Sequence, residues 1–405
     1  MTIRISTNLI FDTSTSSMLK REAEMLRSQQ QLSTGKRLLS PADDPVASSQ
    51  ALGLHTDASV QEQYKANQGA AKDSLSLGES KLSSVSDLLT TAHSLIVQAN
   101  DATLTDSDRK SLAGEMQTIY DQLLGLANSR DGQGRYLFSG YQDSTQAFTQ
   151  TAAGTVVYNG DQGQRALSVS ASRQLAVSDN GQSIFEQGRT GNGSFKTVAA
   201  AANAGTGSAG TTSVYNATLL TGHNYQLLFH VGATTTYDVL DLTAATTVSA
   251  GNAYSSGSAI RFDGMEIDAE GQPADGDTFD VTPSTKQSIF TTLSNAIAVM
   301  STPATGASDR ARMVTALATS QAELESASNR VLSVRAGFGA ALKELDSMGA
   351  ANDSEQTLLA AGISRLEDVD YAQASSNLAR EQLALQAAQR SYVMITGLSL
   401  FSMLS

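Results

Sequence analysis

Seven acidic side chains lie between residues 263 and 280, and their type and spacing come nearest to a reactive site. The cluster consists of Asp263, Glu266, Asp268, Glu270, Asp275, Asp277 and Asp280. Carboxylate oxygens are the ligands that Ca²⁺ prefers, but the stretch lacks the D-x-[DN]-x-[DN]-G order of a calcium loop. Gly264, Gly271 and Gly276 supply positions suited to tight turns. The spacing therefore favours solvated hairpin turns over a metal site.

The other candidates for chemistry are isolated. The four histidines show no metal-ligand spacing between any two: His55, His93, His223 and His230. Asp43 and Asp44 stand between two prolines, and adjacent residues do not converge on one substrate atom, so a turn or a charge contact is the better interpretation. The sequence has no G-x-x-x-x-G-K-[ST], H-E-x-x-H or G-x-S-x-G motif. We therefore predict no enzyme activity, no metal site and no cofactor.

Composition excludes further classes of function. The chain has 405 residues, a net charge of -13 and no cysteine, so it forms no disulfide and no thiolate metal site. An acidic chain is a poor nucleic-acid binder, because neutralising phosphates requires clusters of Lys and Arg. The N-terminal MTIRISTNLIFDTS lacks the apolar core of a secretory signal peptide, and no apolar run approaches the roughly eighteen residues of a membrane span. We predict neither a nucleic-acid partner nor membrane insertion.

Two apolar stripes with heptad spacing occupy the ends of the chain. In residues 364–405 a column of residues seven apart consists of Tyr371, Leu378, Leu385 and Tyr392. A second column, three residues further on, consists of Ala374, Glu381, Ala388 and Ile395. Near the N-terminus one column consists of Phe11, Met18, Met25, Leu32 and Leu39. Leu19 and Leu26 lie one step round the same face. Such spacing is typical of a coiled-coil seam.

A long helix alone in water is weakly held, so each stripe needs a partner helix. The two stripes therefore predict that the chain ends come together. An ordinary antiparallel helix pair sealing a globular domain is the alternative. Ser364 and Glu367 have the spacing of a capping box, which predicts that the last helix begins there.

Helical periodicity also fills the regions next to the two stripes. It predicts helices around Leu75–Ile96, Leu112–Leu126, Ile289–Met300 and Met313–Met348. Between them, seven short segments resemble strands: RYLFSG, TVVYNGD, ALSVSASRQLAV, SIFEQG, NYQLLFHV, TYDVLDL and DTFDVTP. Residues 188–215 are rich in Gly, Ala, Ser and Thr, which favours a linker or loosely ordered surface.

The order of these elements predicts an α+β, multidomain protein. Long terminal coiled-coil helices and a helical bundle flank a central β-rich region. The expected division is a terminal helical domain (1–40 and 366–405), a bundle (41–140 and 285–365) and the β-rich region 141–284, which forms one lobe or two (141–190 and 212–284).

Four motifs, in this order, resemble the flagellin-like family of bacterial flagellar hook-filament junction proteins. They are QQLSTGKRLLSPADDPVASSQAL (30–52), QGRYLFSGYQDSTQAF (133–148), YNGDQGQRALSVSASRQLAVSDNGQSIF (158–185) and SRLEDVDYAQASSNLAREQLALQAAQRSYVMITGLSLF (364–401). The likeness covers residues 1 to about 190 and about 285 to 405. Filament flagellin and a secreted surface adhesin are the alternatives. Flagellins carry an SSG-x-R-I-N-type motif where this chain has LSTGKRLLSPADDP.

The resemblance implies an extracellular structural protein that forms a ring-like layer between hook and filament. It implies export by the flagellar type III route without a cleaved signal. The implied partners are copies of the same chain, the first hook-associated protein, flagellin, and an export chaperone on the C-terminal helix. The residues expected to pack at the assembly interface are Met18, Met25, Leu32, Leu378, Leu385, Tyr392, Ile395, Leu398 and Phe401.

Overall fold

The computed structural model describes the backbone of residues 7–403 and the side chains of residue 9 and residues 11–394. Within this range long helices stand at both ends of a strand-rich middle, which confirms the predicted α+β class. The helices are α1 (Thr7–Thr34), α2 (Pro45–Ala99), α3 (Asp106–Ala127), α4 (Gly181–Phe185), α5 (Ile289–Ser301), α6 (Ala307–Glu367) and α7 (Tyr371–Met403).

The fourteen strands of the described range all lie between α3 and α5 and pair antiparallel. The first are β1 (Phe148–Gln150), β2 (Val156–Tyr158), β3 (Ala166–Ser170), β4 (Arg173–Ala176), β5 (Gly188–Arg189), β6 (Phe195–Ala199) and β7 (Ser208–Val214). The others are β8 (Tyr225–Val231), β9 (Thr235–Asp241), β10 (Thr246–Ala253), β11 (Ala259–Phe262), β12 (Met265–Glu270), β13 (Thr278–Pro283) and β14 (Lys286–Gln287). The larger sheets have the orders β10-β9-β8-β13-β6 and β11-β12-β7, and β1-β2, β3-β4 and β14-β5 form separate pairs.

The chain divides into two compact units. One comprises the described parts of Met1–Ala66 and Ser347–Ser405, and the other comprises Asn67–Asp346. The long helices α2 and α6 each contribute residues to both units.

The helical core of the second unit follows the predicted columns. Leu75, Leu82, Leu89 and Ile96 of α2 are all at most 1% exposed, as are Leu317 and Leu324 of α6. Gly78 lets α2 approach α6 closely, because a Cβ there would lie 2.7 Å from Phe338 Cε2. Thr105 and Asp108 form a capping box at the start of α3. The heptad spacing thus locates this bundle correctly.

The core of the β region comes from alternating residues of both larger sheets. Its buried members include Phe195, Tyr225, Phe229, Ile267 and Val281. Each belongs to a strand whose inward side chains alternate with more exposed ones, as a half-buried sheet requires.

Several sequence interpretations are wrong in detail. Residues 188–215 are not a linker, because β6 pairs with β13 and β7 pairs with β12. Main-chain pairing does not require large side chains, so a composition of small residues conceals these strands. SIFEQG is not a strand, because the Asn180 side chain caps the short helix α4. RYLFSG forms turns in which Phe138 is buried.

The predicted start of the terminal helix is also wrong. Ser364 and Glu367 lie inside the last turns of α6, where the Glu367 side chain accepts hydrogen bonds from Lys36 and His55. α7 begins instead at Tyr371, and Asp370 Oδ1 accepts the amides of Ala372 and Gln373 at 3.0 and 3.1 Å. The residue that caps the terminal helix is therefore Asp370, six residues beyond the Ser364 that the sequence predicts.

Candidate assembly interface

The helices α1 and α7 pack against each other, which confirms the predicted pairing of the chain ends. Near the far end of the pair the Phe11 and Tyr392 rings meet edge to face, with centroids 6.0 Å apart. The other seam residues that the structure describes are partly buried: Met18, Met25, Leu32, Leu378 and Leu385. Ile395, Leu398 and Phe401 lie outside the described side chains.

Burial along this pair is incomplete. Within the described parts of α1 and α7, Ala374 is the single side chain that is buried, at 6% exposure. Leu19, Leu383 and Val393 are 63%, 68% and 67% exposed. One partner helix covers one stripe of a helix, so these apolar side chains remain in contact with water.

Four assignments to the seam need correction. Leu39 lies beyond the end of α1 and is 36% exposed. Leu19 and Leu26 do not share the buried face, because they are 63% and 50% exposed. Tyr371, the first member of its predicted column, is 61% exposed. The pairing geometry selects the Met18–Met25–Leu32 column and turns the adjacent positions outward.

The seam also contains charge. A groove of about 510 Å³ between α1 and α7 is lined by Arg21, Glu24, Arg27, Arg380 and Glu381 among others. Glu381 Oε2 is buried and has no hydrogen-bond partner among the described residues. Glu381 therefore places a carboxylate in a column whose other members, Ala374, Ala388 and Ile395, are apolar.

A short backbone ladder closes the base of the helix pair. The Val369 amide donates to Gly35 O at 2.9 Å, and the Arg37 amide donates to Glu367 O at 2.6 Å. The Glu367 side chain contacts Lys36 Nζ at 2.6 Å and His55 Nε2 at 2.7 Å. The hydrogen bond from Lys36 lowers the pKa of Glu367, with His55 contributing in the same direction and burial opposing it. This ladder fixes where the two terminal helices leave α2 and α6.

Gly35 is required in this ladder. Its φ is +70°, a left-handed conformation that suits glycine, and a Cβ there would lie 2.9 Å from the Tyr371 hydroxyl. Sequence reasoning missed the ladder, although two breaks in the helical pattern, at Gly35 and at Asp368–Asp370, mark its position.

Asp43 and Asp44 organise the turn between α1 and α2, as the sequence predicts. Asp43 Oδ2 accepts the amides of Leu39 and Ser40, and Asp43 also pairs with Arg27 at 2.7 Å. The amides of Ser40 and Leu39 lower the pKa of Asp43. Asp44 Oδ1 accepts the Ala47 amide at 3.0 Å and so caps α2.

The acidic residues of the 263–280 cluster mainly support turns. Asp277 accepts the amides of Ala204, Gly205 and Ala274, and Asp263 accepts the Tyr225 hydroxyl at 2.6 Å. Gly264, Gly271 and Gly276 have φ values of 82°, 83° and 83°, which confirms the turn interpretation. The described residues contain no group of three or more His, Asp or Glu arranged to hold a metal ion.

The two histidines of the β region each lie beside one carboxylate. His223 Nδ1 lies 2.6 Å from Asp241, and His230 Nε2 lies 3.1 Å from Asp238. No helix in the described part of the chain combines the length and the apolarity that crossing a bilayer requires.

The chain resembles known proteins in both sequence and fold. The chain matches the bacterial flagellin N-terminal helical region over residues 5–143 and the bacterial flagellin C-terminal helical region over residues 322–402. The crystal structure of the flagellar junction protein FlgL from Legionella pneumophila is 33% identical, with a TM-score of 0.73 over 79% of this chain and 100% of that chain. The chain belongs to the flagellin-like FlgL family. The flagellar hook-associated protein 3 of Salmonella typhimurium is 29% identical over 99% of each chain.

Likeness to filament flagellin is more limited. The flagellin of Listeria innocua is 25% identical over 150 residues, which is 37% of this chain and 52% of that protein. The hook-associated relative, by contrast, matches from end to end. Membership in the FlgL family therefore rests on the whole chain, including the β-rich middle.

Proposed function

We propose that this chain is a structural component of the bacterial flagellum that forms the adaptor layer between hook and filament. One observation carries the proposal: a paired set of terminal helices leaves its outer apolar side chains exposed, in a chain that matches a hook-associated protein along its whole length. An exposed apolar surface of this kind marks a site of association with other proteins.

The energetics of the helix pair favour assembly. Fully burying a Leu, Met or Val side chain contributes about 1.5–3 kcal/mol, whereas ordering a residue costs about 1–2 kcal/mol. In the described parts of α1 and α7 most seam side chains are only partly buried, so the pair alone gains a fraction of that contribution. Neighbouring subunits that cover Leu19, Leu383 and Val393 supply the remainder.

The residues assigned to the interface act by packing between helices and subunits. Met18, Met25, Leu32, Leu378, Leu385 and Tyr392 are assigned to the contact between α1 and α7, and Ile395, Leu398 and Phe401 are assigned to the same interface. The inner domain then comprises residues 1–40 and 366–405, the bundle residues 41–140 and 285–365, and the outer region residues 141–284.

The partners are other flagellar proteins. Copies of the chain form the ring-like layer, with the first hook-associated protein on one side and flagellin on the other. The chain reaches the outside of the cell through the flagellar export route without a cleaved signal. Before export, a chaperone covers the exposed apolar face of the C-terminal helix.

A complementation experiment tests the assignment. Cells that lack this protein and carry bare hooks should regain filaments and swimming when the full chain is supplied. The Leu385→Asp variant should not restore filaments. A charged carboxylate at this partly buried position weakens the packing of α7 against α1. The measurement is the number of filaments per hook by electron microscopy, with export checked in the culture supernatant.

Gln382→Asp is the matched control, since it introduces the same charge at an exposed position of α7. It should support filament growth at the level of the unmodified chain. Normal filaments with Leu385→Asp would show that the seam is not the assembly interface. Failure of the unmodified chain to restore filaments would refute the junction role itself.

A further inference from the structure

One face of α6 presents polar side chains to the β region at helical spacing. Thr315 Oγ1 accepts the Ala209 amide of β7 at 3.0 Å. Thr319 Oγ1 donates to Thr197 O of β6 at 3.1 Å. β6 and β7 are each the last strand of a sheet. Main-chain groups at a sheet edge need partners, so these hydroxyls dock both sheets onto α6.

The chain enters and leaves the β core (strands β6 to β13) through a neck, which consists of residues 188–194 and 284–287. Within the neck β5 pairs with β14. Ser326 Oγ of α6 accepts the Arg189 amide of β5 at 3.0 Å, so the neck also lies on α6. These two segments are the covalent connection between the β core and the rest of its unit.

Glu323 of α6 lies at this neck and is 5% exposed. Its Oε2 accepts hydrogen bonds from Gln287 Nε2 at 2.6 Å and from the Thr292 hydroxyl at 3.3 Å. Gln287 belongs to β14, and Thr292 lies near the start of α5. One carboxylate therefore joins three elements at the point where the chain returns from the β core to the bundle.

Glu323 differs from the other buried carboxylates of the described chain, which are Asp241 and Asp277. Asp277 accepts three main-chain amides, and Asp241 accepts two and pairs with His223. Such donors favour the charged form of a carboxylate. Glu323 has two neutral side chains and the Gly191 amide instead. Its surroundings therefore favour the ionised form less.

Few charges act on Glu323 from the elements packed around it. α5 contributes no titratable side chain, and those of β5 and β14, Arg189 and Lys286, are exposed. Burial raises the pKa of Glu323, and the Gly191 amide and the charge of Lys196 on β6 oppose the rise without cancelling it. The contribution of this group to stability is therefore complete below the ordinary glutamate value and is lost as pH rises through the folded pKa.

We propose that Glu323 makes the neck a pH-sensitive joint between α6 and the β core. When protonated, its side chain has no charge to desolvate and gains an O–H donor, so β14 and α5 are held against α6. When ionised, it is a buried charge among neutral partners, so the neck opens more often. The proposal does not depend on the junction role of the chain.

Amide exchange of the full chain, measured from about pH 8 down to about pH 5, tests the proposal. The natural chain and Glu323→Gln are compared at each pH, so that intrinsic exchange rates cancel. Glutamine keeps an acceptor oxygen but does not ionise. At about pH 8, peptides covering the neck should exchange severalfold faster in the natural chain, and the difference should shrink as pH falls through the folded pKa. Equal exchange at about pH 8, or a difference independent of pH, would overturn the proposal.

Glu325→Gln is the matched control, because it removes the same charge at an exposed position of α6 two residues further on. It should leave exchange in the neck unchanged at every pH. Peptides from residues 75–96 of α2 should exchange alike in all variants, which shows that the bundle is folded. If Glu325→Gln slows exchange in the neck as much as Glu323→Gln does, net charge is the cause and the joint is refuted.

Lys196→Gln separates the charge of Glu323 from its hydrogen bonds. Removing this cation destabilises the ionised carboxylate, so the neck should exchange faster at about pH 8, and the added exchange should fade as pH falls. In the Glu323→Gln background the same substitution should change nothing, because no charge remains there for Lys196 to stabilise. Equal effects in both backgrounds, or an effect independent of pH, would contradict an ionised Glu323 at the neck.

Discussion

The helical bundle in the unit Asn67–Asp346 and the terminal helix pair show the same heptad spacing but differ in burial. Leu75, Leu82 and Leu89 on α2 are at most 1% exposed, whereas Met18 and Leu385 of the terminal pair remain only partly buried. In the described part of the chain α2 packs against α6 and also bonds to β3, whereas α1 and α7 pack mainly against each other. Periodicity thus states which face a helix must bury, and the number of neighbours decides how far that face is buried.

Stability should follow the same division. The bundle completes its core within one chain, so it should carry most of the free energy of unfolding. The terminal pair has few buried contacts and belongs to the low-stability end of the molecule, as is typical of elements that become ordered on binding. The predictions below test this contrast, from the largest expected effect to the smallest.

Amide exchange should show the largest difference. In the isolated chain, α1 and α7 should exchange faster than residues 75–96 of α2 by two to four orders of magnitude, which corresponds to roughly 3–5 kcal/mol of opening free energy. Assembly should slow exchange in both terminal helices. Mass spectrometry of peptides from both regions measures this, and equal protection in the free chain would remove the contrast.

Truncating one leucine in each region should separate the two kinds of burial. Leu82→Ala should cost about 2–5 kcal/mol, because Leu82 is 0% exposed and its loss leaves a cavity. Leu19→Ala, at a position 63% exposed, should change the stability of the free chain by less than about 0.5 kcal/mol. Because the chain has no tryptophan, urea unfolding is followed by far-UV circular dichroism. Similar losses in both variants would contradict the contrast.

The ladder at the base of the pair predicts an effect of intermediate size. Gly35→Ala should loosen the docking of α1 on α7 by about 1–2 kcal/mol, because alanine at a φ of +70° is strained. Gly53→Ala is the matched control, since Gly53 lies within α2 with open space around its Cα. There alanine should stabilise the helix by about 0.5–1 kcal/mol. Proteolysis rates near residues 35–40 report the first change, and slower cleavage of Gly35→Ala would contradict it.

The smallest effect concerns pH. The pKa of Glu367 is lowered in the folded chain, so its contribution is present above the ordinary glutamate value and is lost as pH falls through the folded pKa. Glu367→Gln should therefore cost about 0.5–1 kcal/mol at neutral pH, a modest figure because Lys36 is half exposed. The difference between the two proteins should shrink as pH falls below the ordinary glutamate value and vanish once pH is below the folded pKa. A difference independent of pH would assign the loss to packing.

Much of the fold follows from periodicity alone. Heptad columns locate α2, α3, α5 and α6 because burial imposes a repeat of about 3.6 residues on any helix that packs. Strands are harder to predict. β6 and β7 are held by main-chain hydrogen bonds to β13 and β12, and a segment of small side chains gives no pattern that indicates such pairing. SIFEQG looked like a strand because a short apolar run is ambiguous until its cap is recognised.

The candidate interface divides in the same way. Spacing by itself predicted that the two ends of the chain pair, and it assigned to the seam Met18, Met25, Leu378 and Leu385, which are partly buried. Only the tertiary structure decided that Leu19, Leu26 and Tyr371 turn outward, because one residue step changes direction by about 100° and the partner's position selects the face. Only the tertiary structure shows the ladder between Gly35 and Val369, because a contact between residues so distant in sequence produces no periodic pattern.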